Sequence, residues 1–154
     1  MQPDMNQVQK NITDVRKTAM RADKPAMEVR DLSFSYGKNK VLKGISFTIE
    51  GGKITTIMGA NGCGKSTLFN LMTKNLYPRK GNIFLHGRNI QNFGLKDFAK
   101  RVSIVHQYNS SADDITVERL VSFGRTPHMK MMQGRSDEDE KLIEWAMEVT
   151  NVEK

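Results

Sequence analysis

GANGCGKST, residues 59–67, decides how the rest of this chain is read. A phosphate-binding loop of the form GxxxxGK[ST] has four fixed positions, and Gly59, Gly64, Lys65 and Ser66 fill them. Glycine tolerates backbone angles that turn successive N–H groups inward. A helix starting at the end of such a loop aims the positive end of its dipole at a bound anion. The backbone through Asn61, Gly62, Cys63 and Gly64 is then the cradle, with Lys65 reaching the β- and γ-phosphates. Ser66 offers its hydroxyl to Mg²⁺, and Thr67 adds a second hydroxyl at the helix start. Cys63 stands at a variable position of the pattern, where its small side chain fits.

The flanks supply the context that a phosphate cradle needs. KITTIMG, residues 53–59, is a β-branched run suited to a buried strand, and KSTLFNLMTKNL, residues 65–76, has helical apolar spacing at Leu68, Leu71 and Met72. Upstream, MEVRDLSFSYG (27–37) predicts a strand whose alternation slips at Asp31. VLKGISFTIEGG (41–52) predicts a second strand, and the short loop at Gly37 to Lys40 makes the two a hairpin. RVSIVHQYN (101–109) predicts another β-branched strand.

The C-terminal part reads as helix. Thr116 is placed to cap a helix carrying Val117, Leu120 and Val121, with Gly124 placed to end it. SDEDEKLIEWAMEV (136–149) predicts a second helix. Ser136 is its cap, Asp137 to Glu140 load its positive end, and Leu142, Ile143, Ala146 and Val149 form the stripe expected to be buried, with Trp145 at its edge. The acidic run is therefore a helix start and not a metal site.

Composition narrows the class. Hydrophobic residues make up 38% and charged residues 27% of the 154 positions, as in an ordinary globular protein. No run approaches the roughly 20 apolar residues of a membrane-spanning helix, and the N-terminus carries no apolar secretory segment. A single cysteine excludes a disulfide framework and suits a reducing compartment. Residues 27–135 hold seventeen basic and seven acidic side chains, within a net charge of +7. The lysines are scattered and not gathered into a stripe, so no nucleic-acid partner is expected.

With these residues in hand a resemblance becomes specific. The stretch from Leu32 to Ile90 resembles the start of the ATP-binding subunit of ATP-binding cassette (ABC) transporters, and the likeness extends through residues 27–150. It implies an α/β fold: a P-loop NTPase core with an N-terminal antiparallel β-subdomain and the start of an α-helical subdomain, truncated relative to the family. The expected layout is a flexible extension over 1–26, then a partial nucleotide-binding domain over 27–154. Residues 27–108 form its β-subdomain and loop core, and 109–154 open the helical subdomain. Tyr36, 23 residues before Gly59, falls where the family places an aromatic that stacks on adenine. Gly81 and Gly87 punctuate turns around the following strand. Gln107 falls where the family's glutamine contacts Mg²⁺ and the attacking water, a task suited to a neutral amide.

TVERLVSFGRTPH (116–128) is similar to importers of iron–siderophore, haem and cobalamin complexes. The resemblance implies ATP and Mg²⁺ as ligands and membrane permease subunits as partners. It also implies a second copy of the subunit, an indirect link to a periplasmic or lipoprotein substrate-binding protein, and a place on the cytoplasmic face of the membrane. Two family features do not occur in these 154 residues: an apolar strand ending in Asp-Glu and an LSGGQ-like signature. Hydrolysis is therefore expected of a longer chain and inactivity of this one alone, with apolar surface left uncovered beside the loop strand. Two other readings stand beside this one. The first is a nucleotide-binding fragment without turnover, and the second is a soluble ABC protein of translation or DNA repair.

Overall fold

The computed structural model describes residues 25–105, 115–129 and 134–152. Gln107, most of the N-terminal extension, Met131 and Met132 lie outside the described residues. The chain falls into two compact units, one ending at Gly94 and the other beginning at Leu95. No helix among the described residues is long and apolar enough to cross a membrane.

The first unit is built on a four-stranded antiparallel sheet of β1 (Met27–Tyr36), β2 (Asn39–Ile49), β3 (Lys80–Leu85) and β4 (Arg88–Asn89), in the order β2-β1-β3-β4. The β1–β2 hairpin forms as expected, with Tyr36 opposite Asn39 across Gly37 and Lys38. The β3–β4 hairpin turns on His86 and Gly87, both at positive φ, the requirement of a tight two-residue turn. Between the hairpins lies α1 (Lys65–Met72), which buries Thr67, Leu68, Leu71 and Met72. Leu68, Leu71 and Met72, together with Val29, Leu32, Phe34, Leu42, Ile83, Leu85, Ile90 and Phe93, belong to the apolar interior. The end of α1 is tied to the chain beyond β4 by Lys74 Nζ, which donates to the Phe93 carbonyl at 2.6 Å.

The slip in alternation at Asp31 is a β-bulge. Before it, Met27 and Val29 face the interior; after it, Leu32 and Phe34 do. Asp31 is the extra residue against both neighbours: Arg30 and Asp31 oppose Ser46 of β2, and Asp31 and Leu32 oppose Gly81 of β3. Its φ of 46° is left-handed, which aspartate tolerates better than most residues. Gly81 thus lies inside a strand beside a bulge and does not punctuate a turn as expected, whereas Gly87 does.

Two expected strands do not form among the described residues. Residues 53–58 and 102–105 adopt no strand, and Ile54, Met58 and Val105 are 99%, 87% and 88% exposed. β-branched composition fits a residue to a pleated surface but does not supply the neighbouring backbone that pairs its N–H and C=O groups. No described strand pairs with either segment. The uncovered apolar surface expected beside the loop is present at Ile54 and Met58.

The second unit contains α2 (Leu95–Ala99), α3 (Val117–Ser122), a 3₁₀ turn (Phe123–Arg125) and α4 (Asp137–Val149). Thr116 caps α3, its side chain accepting from the Arg119 amide. Gly124 does not end the helix; α3 stops two residues earlier at Ser122, and Gly124 lies inside the 3₁₀ turn. Ser136 and Asp139 form a reciprocal capping box at the start of α4. Only Ile143 of the expected stripe is fully buried, while Leu142 and Ala146 are half-buried and Val149 is 63% exposed. The remaining hold between the helices is polar. Arg125 Nε donates to Asp139 Oδ1 at 2.7 Å, and Arg135 reaches Glu118 at 2.7 Å and Ser122 Oγ at 3.0 Å.

Hydrogen bonds from the Ser136 hydroxyl and amide, and then the Arg125 guanidinium, lower the Asp139 pKa from 3.8 to about 2. A folded-state value below the unfolded one contributes stability that is fully present above the unfolded value and is lost as pH falls through the folded value. Far-ultraviolet circular dichroism melts from about pH 5 down to about pH 2 should show a steeper acid loss in the wild type than in Asp139→Asn, whose amide does not titrate. Ser136→Ala should cost about 1 kcal/mol at neutral pH.

Candidate phosphate-binding site

The loop is bare backbone for much of its length. Gly59, Gly62 and Gly64 have φ values of 159°, 79° and 99°, of which the last two lie firmly in the region that disfavours side chains. At Gly64 the conformation coincides with close packing. A Cβ there would lie 2.9 Å from Leu42 Cδ2 and 3.0 Å from Val41 Cγ1, so the loop-to-helix junction is seated directly on β2. A Cβ at Gly59 would meet Cys63 Sγ at 2.7 Å, which accounts for glycine at one end of the loop and a small residue at the other.

The helix that follows is left open at its positive end. Gly64 provides no side-chain cap, the first turn of α1 carries no acidic residue, and the first intrahelical bond runs from the Leu68 amide to the Gly64 carbonyl at 2.9 Å. The amides of Lys65, Ser66 and Thr67 precede that bond, so they are the donors of the helix start. Lys65 folds back over the loop, its ammonium donating to the Gly59 carbonyl at 2.7 Å and the Ala60 carbonyl at 2.8 Å, with Cys63 Sγ at 3.9 Å. Loop carbonyls thus hold the cation at the mouth of the helix, where an anionic oxygen would compete for the same ammonium protons. Of the two hydroxyls, Ser66 is exposed and Thr67 is buried.

Tyr36 stands at the end of β1, 52% exposed, with its ring 4.9 Å from Phe34 and the two planes at 82°. Phe34 is paired in register with Leu42, the residue beneath Gly64. The residue of β2 that supports the loop junction is thus also the strand partner of one member of the aromatic pair. The contribution of Val41 and Leu42 was not legible beforehand, because an apolar residue on a strand does not reveal which glycine it will support.

A family comparison fits this geometry. Residues 42–154 match the family described as ABC transporter. The chain belongs to that family. Its fold is that of the N-terminal part of the ABC ATPase domain, and family membership carries ATP binding with it. Among curated relatives, the iron(3+)-hydroxamate import ATP-binding protein FhuC of Bacillus subtilis is 35% identical over 127 residues, which is 82% of this chain and 47% of FhuC. The ferric enterobactin transport ATP-binding protein FepC of Escherichia coli is 36% identical, covering 79% of this chain and 45% of FepC. The petrobactin import ATP-binding protein YclP of B. subtilis is 41% identical, covering 74% and 44%. The chain thus spans about half the length of the curated relatives it matches. Among solved structures, CbiO1 of Clostridium perfringens, part of the ABC transporter complex CbiONQ, superimposes with a TM-score of 0.63 at 30% identity, covering 84% of this chain and 51% of that one. A bacterial Atm1-family ABC exporter with ATP bound gives 0.60 at 25% identity, covering 77% and 20%.

The ABC loop is sensitive to any side chain at its junction. Gly64→Ala places a residue at a φ of 99° and a methyl group against Leu42. It should lower stability by roughly 1–3 kcal/mol, and it should weaken binding of inorganic tripolyphosphate, measured by calorimetry, more than an alanine at the exposed Asn61 does.

Proposed function

We propose that this chain is the nucleotide-binding N-terminal part of an ATP-binding subunit that energises import of an iron chelate of the siderophore type. The import step runs through membrane permease partners, at the cytoplasmic face of the membrane. The observation that carries the nucleotide half is the Lys65 ammonium poised over an uncapped, acid-free helix start. The transport half draws on FhuC, FepC and YclP, named for iron(3+)-hydroxamate import, ferric enterobactin transport and petrobactin import.

In this reading Tyr36 stacks on the base, and the backbone of Gly59, Asn61, Gly62, Cys63 and Gly64 wraps the phosphates. Lys65 neutralises the β- and γ-phosphates, with Thr67 at the helix start. Ser66 offers its hydroxyl to Mg²⁺, and Gln107 positions metal and water. Among the described residues no group of three or more His, Cys, Asp or Glu is placed to cage a metal. A hydroxyl beside a phosphate cradle instead suits a cation that arrives with its triphosphate, as magnesium does. When bound, Mg²⁺ supplies neutralisation of phosphate charge. No residue of this chain is assigned as the carboxylate that polarises the attacking water. A second copy completes the assembly that this reading calls for, with a substrate-binding protein upstream of the permease.

Lys65→Ala removes the ammonium while leaving the glycines in place. Titration with ATP and Mg²⁺ should show a loss of affinity of at least about tenfold, the value of one charge-assisted contact of roughly 1.5–3 kcal/mol. Unchanged affinity would remove the nucleotide site from this loop. Co-purification with a membrane permease would favour the transport half, whereas salt-sensitive binding to RNA or duplex DNA would favour a soluble ABC protein.

A further inference from the structure

Base recognition in the proposed function depends on which face of β1 carries Tyr36, and that face is not fixed at Tyr36. Side chains alternate along a strand, so one inserted residue sends every later side chain to the opposite face. Met27 and Val29 are buried on one parity, Leu32 and Phe34 on the other, and Tyr36 follows Phe34 in ring contact. The switch occurs at Asp31. Were Asp31 an ordinary pleated residue instead of part of a bulge, position 36 would fall on the face opposite Phe34's packing and Leu42.

The bulge is held on both sides. The Asp31 amide donates to Ser46 Oγ at 2.8 Å on β2, and Asp31 Oδ2 pairs with Lys80 Nζ at 2.8 Å on β3. Gly44 leaves room on β2, since a Cβ there would approach Asp31 Oδ1 to 3.0 Å, and its amide donates to Ser33 Oγ at 2.9 Å. Gly81 leaves room on β3, where a Cβ would lie 2.3 Å from the Asp31 carbonyl oxygen and 2.4 Å from that of Arg30. Two glycines and two polar partners, Ser46 and Lys80, converge on one aspartate at a φ of 46°. That is more than a pairing defect requires, and bulges serve to re-aim side chains next to sites.

From this we infer that Asp31 is a positioning residue for nucleotide-base recognition: its bulge sets the parity of β1 so that Tyr36 stands on the face of the phosphate loop. The inference rests on Tyr36 as the base platform proposed above. Asparagine and glycine tolerate positive φ, whereas a β-branched residue does not. The backbone angle, and not the carboxylate, is the property that matters.

The test compares ATP with inorganic tripolyphosphate, which has the phosphates and no base, by calorimetry on the complete chain. Base stacking on an aromatic ring changes affinity by roughly tenfold. Asp31→Val should lower the ATP-to-tripolyphosphate affinity ratio by about that factor, as Tyr36→Ala does, while Asp31→Asn and Asp31→Gly keep the wild-type ratio. Ser46→Ala, which loses only the anchor of the Asp31 amide, should fold even where the valine variant does not and should shift the ratio in the same direction by a smaller factor. An unchanged ratio in both Asp31→Val and Ser46→Ala, with a collapsed ratio in Tyr36→Ala, overturns the inference and spares the base reading. Equal loss of both ligands in Asp31→Val also overturns it. An unchanged ratio in Tyr36→Ala overturns the base reading itself.

Discussion

The phosphate cradle proposed for this chain hangs on the contact between the bare backbone of Gly64 and the side chains of Val41 and Leu42. The loop has no regular structure of its own, and its glycines lower the barrier to many shapes. It takes one shape because its last residue is clamped on β2 and because Lys65 closes back on the carbonyls of Gly59 and Ala60. A cradle held at both ends by its own chain meets an anion with donors already aimed, which reduces the ordering cost that a floppy loop would carry. The same contact fixes where α1 begins, and with it which of its faces buries Leu68 and Leu71.

The two longest helices show how charge distinguishes a helix start meant for a ligand from one that is finished. α4 opens with Ser136, a reciprocal cap from Asp139 and three further acidic residues, so its positive end is neutralised from within. α1 opens with a glycine, no acidic residue in its first turn and a lysine. Such an arrangement adds positive charge to a positive helix end and is unfavourable for the isolated helix. It makes sense only where an external anion supplies the balance. The acidic run of the second unit is accordingly structural, and its deepest member, Asp139, is spoken for by Ser136 and Arg125.

Features written in short stretches were legible in the sequence. The phosphate loop, the β1–β2 hairpin, the caps at Thr116 and Ser136 and the slip at Asp31 each depend on residues within a few positions of one another, so local chemistry decided them. Features that need a distant partner were not. KITTI and RVSIV have the composition of interior strands, yet Ile54 and Val105 stand in the open because nothing described pairs with their backbones. Gly81 reads as a turn residue through the family resemblance around it. Its reason for being glycine is the Asp31 carbonyl across the sheet, which no pattern along the chain reveals. Val149 fits the helical stripe of α4 but, as the last residue of that helix, is 63% exposed.

Within the first unit, the parts proposed for the two halves of a nucleotide are held by separate means. The phosphate cradle is set by glycines and by Val41 and Leu42 of β2. The base platform is set by the parity of β1, through Asp31 and its partners on β2 and β3. A bulge at a sheet edge disturbs one ladder; one on a central strand must be accommodated by two, and glycines leave it room on both, Gly81 opposite it on β3 and Gly44 beside the Asp31 carboxylate on β2. That double accommodation makes the parity switch hard to move by one residue, since a shifted bulge would bring a side chain against Gly81 or lose the Ser46 anchor. Leu42 belongs to both devices, lying against the Gly64 position and paired in register with Phe34, so the proposed base and phosphate contacts rest on largely separate residues of the same strand pair.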